Sequence, residues 1–201
     1  MKKYLLILLL VSCFLLGCSN KKGIEDTNYF FEKGISSWTY EGRFLQLSMQ
    51  EEQIELSVTE VKHFEEGNLY ELMWNCNKDA KDRYGVDRQY LGLFLVLDDC
   101  IYLIRDRDTK EELTTVDEFR HIGTLVCSKY GKEDILEENE RGWHEYILVE
   151  DNRSEYHGYN NLVETGYYEC FVWEIGKGLI EYRSGYGAES DAIEVYLLEN
   201  E

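Results

Sequence analysis

Tyr90-Leu91-Gly92-Leu93-Phe94-Leu95-Val96-Leu97-Asp98-Asp99-Cys100-Ile101-Tyr102-Leu103-Ile104 reads as two strands folded about Asp98-Asp99. A two-residue turn there sets Leu97 opposite Cys100, Leu95 opposite Tyr102 and Leu93 opposite Ile104. Side chains alternate across a strand, so Phe94, Val96, Ile101 and Leu103 share the other face. Both faces are apolar. A sheet with one wet face shows a polar side, so this hairpin is expected to lie centrally and to be covered on both sides.

The same alternation extends outward in both directions. Before it, Arg43 to Met49 puts Leu45, Leu47 and Met49 on one face, and Gln50 to Gln53 turns the chain. Ile54, Leu56 and Val58 then alternate with polar residues. Glu65 to Asn68 makes a turn, Leu69 to Trp74 a short strand, and Asn77 to Asp87 a polar loop. After the hairpin, Arg105 to Glu112 is a charged loop. Thr115 followed by Glu118 fits a capping box, which predicts one short helix over Val116 to His121. Leu125 to Ser128 is a strand, and Lys132 to Gly142 a charged excursion with a helical turn. Trp143 to Val149 and Ser154 to Tyr159 form a hairpin about Glu150 to Arg153. Tyr167 to Glu174 and Leu179 to Ser184 form another about Gly176-Lys177, where glycine first in a two-residue turn predicts type II′. That register sets Phe171, Trp173, Ile180 and Tyr182 toward the core. Ile193 to Leu198 is the last strand. Many short strands and almost no helix predict a mainly β domain: a single antiparallel β-sandwich or curved half-barrel with at most one or two short helices. Tyr90 and Phe94 share a spacing with Tyr167 and Phe171, and Ile101 to Arg105 sets beside Leu179 to Arg183. Chance similarity between aromatic hairpins accounts for this as readily as two related halves.

The N-terminus has a different character. Lys2 and Lys3 precede an apolar run from Leu5 to Leu16, which ends in Leu15-Leu16-Gly17-Cys18. A charged start, an apolar middle and a small residue before the break make a secretory signal, and the run is too short to span a bilayer. With cysteine directly after Leu-Leu-Gly, the segment resembles the lipobox signal of bacterial lipoproteins. The resemblance implies a diacylglyceryl group on the Cys18 sulfur and loss of Met1 to Gly17. It implies a protein outside the cytoplasm, tethered to the cell membrane or outer membrane. Cys18 to Asn28, polar with mixed charge, then reads as the tether, and Tyr29 to Glu201 as one domain.

Composition narrows the partners. The chain carries a net charge of −19, and losing Lys2 and Lys3 with the signal moves it to about −21. Such a surface disfavours nucleic acid and anionic headgroups and favours solubility. An exported compartment permits disulfides among Cys76, Cys100, Cys127 and Cys170, with three connectivities, whereas their strand-like settings also suit buried thiols. Their spacing matches no zinc pattern. The chain has no proline, so refolding should show no slow prolyl phase.

One constellation could carry chemistry. In the hairpin about Glu150 to Arg153, the register pairs Tyr146 with His157 and His144 with Tyr159. His144, Tyr146, Leu148, Glu155, His157 and Tyr159 then share a face. Two imidazoles and a carboxylate could hold zinc or act as acid and base, although a one-residue slip would separate the sets. A hydrogen-bonded face, or aromatic packing of a ligand on His144, Tyr146, Glu155, His157 and Tyr159, is the preferred reading. Asn75, Asn77 and Asp79 alternate like calcium ligands but lack the glycine and glutamate of such loops. Asp98-Asp99 with Asp106 and Asp108 reads as solvated turns. Gly176, Gly178, Gly185 and Gly187 are too sparse to cradle phosphate, and Ser184 lacks a nucleophile elbow. The aromatic and amide stretch from Tyr156 to Tyr168, with Tyr159, Asn160 and Asn161, suits a sugar or peptide face.

The sequence therefore assigns no catalytic residue, metal or cofactor. It points to a membrane-anchored envelope lipoprotein that binds a protein, peptide or small ligand without catalysis. An envelope hydrolase or metal-binding protein using His144, His157 and Glu155 is the first alternative. A structural or immunity-type inhibitor acting through its acidic surface is the second.

Overall fold

A computed structural model of the protein describes residues 28–32, 34–45, 52–76, 80–82, 85–133, 142–160, 166–186 and 189–198. The strands are β1 (Ser37–Phe44), β2 (Glu52–His63), β3 (Gly67–Asn75), β4 (Tyr90–Leu97), β5 (Cys100–Ile104), β6 (Thr124–Ser128), β7 (Trp143–Glu150), β8 (Arg153–Asn160), β9 (Tyr167–Glu174), β10 (Gly178–Tyr186) and β11 (Glu189–Leu197). Helices α1 (Thr109–Glu112) and α2 (Val116–Ile122) lie between β5 and β6. All strands join one antiparallel sheet in the order β6-β5-β4-β3-β2-β1-β11-β10-β9-β8-β7. The chain is thus an up-and-down meander, with β11 returning to pair with β1. The curled single sheet is observed and the sandwich is not.

Eleven strands among the described residues is an odd number, so the outer strands cannot close the sheet as an antiparallel pair. Strict alternation leaves its two outer strands, β6 and β7, running the same way, and among the described residues they share no ladder. Instead the chain reverses after β6 at Gly131, whose φ of 70° favours glycine. Lys132 N then donates to Ile147 O at 3.0 Å, and Ile147 N donates to Lys132 O at 2.8 Å. Ser154 Oγ on β8 accepts from Ser128 N at 3.1 Å and donates to Ser128 O at 3.2 Å. These bonds draw the sheet nearly into a barrel near one end and protect its edges.

That end is also plugged. Tyr29, Phe30 and Phe31 are buried, with Phe31 packed on Trp38 at 4.1 Å and Phe30 on Tyr70 at 4.5 Å. Gly178 allows the plug: a Cβ there would lie 2.3 Å from the Phe31 ring. Above it the interior is filled by Trp74, Phe94, Phe171, Trp173 and Leu179. The central hairpin behaves as its pattern predicts. Leu93 faces Ile104 and Leu95 faces Tyr102. Phe94, Val96, Ile101 and Leu103 enter the barrel, while Leu69, Leu93, Leu95 and Ile104 are covered outside by Phe119 of α2. The capping box on α2 is complete: Thr115 Oγ accepts from Glu118 N, and Glu118 accepts from Thr115 N.

Several expectations need correction. The first strand runs over Ser37–Phe44 rather than Arg43 to Met49. Gly42 lets β1 approach β11, since a Cβ there would sit 2.0 Å from Glu194 O, and Leu45 ends the strand at a φ of 49°. Leu47 and Met49 lie outside the described residues. Helix α1 occupies part of the expected charged loop. The Gly176-Lys177 turn is not type II′: Lys177 N donates to Glu174 O at 3.0 Å, and Gly176 takes a φ of 79°, as the third position of a type II turn requires. A bulge between Leu179 and Glu181 then brings Leu179, not Ile180, into the core beside Phe171, Trp173 and Tyr182. The expected helical turn over Lys132 to Gly142 falls mostly outside the described residues.

Candidate functional site at the barrel mouth

The end of the barrel opposite the plug is built differently. Strands β7, β8 and β9 keep period two, so polar residues near their mouth ends point inward above the apolar floor. On β9, Tyr167 and Glu169 precede Phe171 and Trp173 on the same face. Arg105 follows Leu103 inward from β5. A cavity of about 410 Å³ opens here, lined by Val86, Arg88, Arg105, Thr124, Trp143, Glu145, Tyr156, Tyr167, Glu169 and Tyr186. Thr124 and Trp143 begin β6 and β7, so the cavity sits where those strands start without a shared ladder.

Glu169 is only 2% exposed and needs partners there. It forms an ion pair with Arg105 and accepts from Tyr182 Oη at 2.8 Å and Tyr167 Oη at 3.3 Å. The Arg105 side chain is half exposed and leans on the cavity. Arg88 donates to Asp82 Oδ2 from Nη2 at 2.7 Å and from Nε at 3.0 Å, and to Tyr186 Oη at 2.9 Å. It also lies over the rings of Tyr167 and Tyr186, at 5.4 and 5.8 Å. Burial alone would lower the Arg88 pKa; Tyr167, the Asp82 hydrogen bond, Tyr182 and Tyr186 outweigh it and keep the guanidinium charged. Burial pushes the hydroxyls of Tyr156, Tyr167 and Tyr182 well up, so they serve as neutral donors. Trp143 stacks on Tyr167 at 6.2 Å with 16° between the planes. Its Nε1 donates to Glu145 Oε1 at 2.9 Å, and Lys132 Nζ holds Glu145 Oε2 at 2.5 Å.

Register places Glu145, Gly158 and Glu169 in one row across β7, β8 and β9. Glycine in the middle leaves room for two rings, since a Cβ at Gly158 would meet Tyr156 Oη at 2.3 Å and Trp143 Cζ2 at 2.7 Å and force them to move. The result is a wall of flat rings beside fixed carboxylates, guanidinium groups and hydroxyls, with charges balanced in pairs.

The residues expected from the sequence lie elsewhere, on the outer face. His144 faces Tyr159 and Tyr146 faces His157 in the expected register, with the rings stacked at 5.2 and 4.7 Å. His157 Nε2 lies 2.7 Å from Glu155 Oε1. His144 does not join them, because diagonal placement leaves it stacked on Tyr159. Cys170 and Arg183 take that place beside Glu155. Burial pushes the Cys170 thiol up to about 12, which does not suit a nucleophile.

The four cysteines Cys76, Cys100, Cys127 and Cys170 form no disulfide with one another. Cys127 points into the barrel, whereas Cys100 and Cys170 lie on alternate positions facing outward. Asp98-Asp99 and Asp106 with Asp108 sit at opposite ends of β5, so they do not combine. Asn77 and Asp79 lie outside the described residues, as does Cys18. Arg105 points into the barrel and Arg183 out of it, and a bulge in β4 turns Tyr90 outward while Tyr167 points inward, so the paired motifs do not match in space. Sequence reasoning missed Arg88, Arg105, Glu169, Tyr182 and Tyr186. One signal was present: Glu169 alternates with Phe171 and Trp173 on a core face, and a carboxylate there demands a cation. Among the described residues, no helix is long and apolar enough to cross a membrane. No protein-family model matches the chain, nor does any curated protein or solved structure.

Proposed function

We propose that the protein is a lipid-anchored lipoprotein of the cell envelope whose barrel mouth binds a small polar ligand of the sugar-ring type. The observation that carries this reading is the cavity of about 410 Å³ with Trp143, Tyr167 and Tyr186 on its walls and two carboxylate–guanidinium pairs fixed beside them. Rings bind flat apolar faces, and preset donors and acceptors fix orientation. The Leu15-Leu16-Gly17-Cys18 signal supports attachment through Cys18. The chain enters the described fold at Asn28, beside the plugged end.

Binding fits better than hydrolysis. Two carboxylates flanking a sugar can cleave a glycosidic bond, but one must donate a proton to the leaving group. Glu145 and Glu169 are each engaged in an ion pair, which suits a fixed acceptor and not a proton donor. On the outer face, His144 does not meet Glu155, which weakens the case for a histidine-based hydrolase.

Two measurements test the proposal. Mass spectrometry of the natural protein should find residues 1–17 gone and lipid on Cys18; an intact leader would overturn the anchor. Ligand-observed NMR against mono- and disaccharides and dipeptides should give saturable binding to the sugars, weakened about tenfold or more by Arg105→Ala. No saturable sugar binding would overturn the mouth assignment, and dipeptides binding alone would reassign its ligand.

A further inference from the structure

A second site lies on the outer face, away from the mouth. Glu155 and His157 are two residues apart on β8 and therefore share a face. Cys170 on β9 stands directly opposite His157. Cys170 Sγ lies 3.8 Å from Glu155 Oε1, and the sulfur, imidazole nitrogen and carboxylate oxygen all lie within 4.8 Å of one another. Donor atoms around a tetrahedral zinc ion, with bonds of about 2.0–2.3 Å, stand roughly 3.3–3.8 Å apart. Side-chain adjustments of about an ångström or less, closing the wider separation and opening the 2.7 Å His157–Glu155 contact, bring the three into that range.

We propose that Glu155, His157 and Cys170 form a binding site for a divalent transition-metal ion of the zinc class. One thiolate, one imidazole and one carboxylate match a borderline-soft ion and not calcium or magnesium. The frame is rigid, since all three residues stand on paired strands. Stacking on Tyr146 at 4.7 Å holds the His157 ring with Nε2 toward the site. A cavity of about 180 Å³, whose lining includes His157, Cys170 and Arg183 and reaches Glu169, lies alongside with room for water as a fourth ligand.

Arg183 supplies the positive charge of the metal-free state. Its Nη2 is 3.4 Å from both Cys170 Sγ and Glu155 Oε1. When the ion binds, the Cys170 proton leaves to solvent, and the proton that joins His157 Nε2 to Glu155 Oε1 at 2.7 Å also leaves Nε2, the neutral ring keeping its N–H on Nδ1; thiolate, imidazole and carboxylate then enter the coordination sphere. Glu181, whose Oε1 lies 2.5 Å from Arg183 Nε, then retains the guanidinium. Arg183 is thus a built-in competitor, and its removal should tighten binding.

The test is cobalt(II) titration of the untagged full chain in detergent, followed by absorption spectroscopy. Expected are an equimolar complex with visible bands of tetrahedral cobalt, a near-ultraviolet thiolate charge-transfer band, and displacement by zinc. Cys170→Ser should abolish the charge-transfer band. His157→Gln and Glu155→Gln, which spare the sulfur if the serine variant fails to fold, should each weaken binding roughly tenfold or more. Arg183→Gln should tighten it by about three- to tenfold. Absence of a thiolate band at equimolar cobalt would overturn the proposal, as would its survival in Cys170→Ser or weaker binding in Arg183→Gln. Failure here would leave sugar binding at the mouth untouched, because the two sites share no donor.

Discussion

Glu169 shows how one side chain can organise a cavity. A carboxylate on a core-facing position is tolerated because Arg105, Tyr182 and Tyr167 converge on it. Removing it strands a guanidinium and two hydroxyls, although the half-exposed Arg105 recovers part of its hydration. Glu169→Ala should therefore cost about 1–3 kcal/mol, read from urea denaturation. Glu169→Gln, which keeps an acceptor for the hydroxyls, should cost less. Equal losses in the two variants would mean that the hydroxyl network contributes nothing beyond the ion pair.

The hairpins carry their own tests. On β9, Glu174 is buried and held by Arg153 from β8 at 2.8 Å and by Lys177 from the turn at 3.0 Å. Burial alone would raise its pKa, but hydrogen bonds and charge from Lys177 and Arg153 outweigh it and hold the carboxyl below the ordinary range. A depressed carboxylate stabilises the fold above its unfolded pKa of about 4.3, and that stability disappears as pH falls through the folded value. Glu174→Gln should thus be less stable than the parent by about 1 kcal/mol at neutral pH, with the gap closing below about pH 4. At the α2 cap, Thr115→Ala should cost about 1 kcal/mol by the same denaturation measurement. Elements of this kind were legible in the sequence where local chemistry alone decides them. The capping box needs only Thr115 and Glu118, and the Asp98-Asp99 hairpin has only one register with Leu93 opposite Ile104. Expectations failed where a bulge or a close approach intervened. The bulge beside Ile180 shifts the register against Trp173 and Val172 within its own hairpin, which alternation alone does not reveal, and the contact of Gly42 with β11 depends on partners distant in sequence. The mouth was illegible for the same reason: Arg88, Arg105 and Glu169 meet only once the sheet curls.

For the whole molecule, strand parity and the plug set the geometry together. Among the described residues the odd count leaves β6 and β7 running the same way without a shared ladder, and one end closes through Lys132, Ile147, Ser128 and Ser154. At the other end the gap between Thr124 and Trp143 becomes the mouth. The plug stabilises the closed end: Phe31 packs on Trp38 and approaches Phe30 and Trp173 at 5.1 and 6.2 Å. Phe31→Ala should cost about 3–5 kcal/mol, seen as an earlier urea midpoint with the same slope. A shift under roughly 1 kcal/mol would show that the barrel stands without its plug.

The chain has four tryptophans, so its indole N–H region should hold four resolvable NMR signals, and Trp143→Phe identifies the one at the mouth. Titration with a sugar identified by ligand-observed NMR should move the Trp143 signal saturably and leave Trp38, Trp74 and Trp173 nearly still. Movement of the other three with Trp143 unchanged would place the ligand elsewhere and contradict binding at the mouth.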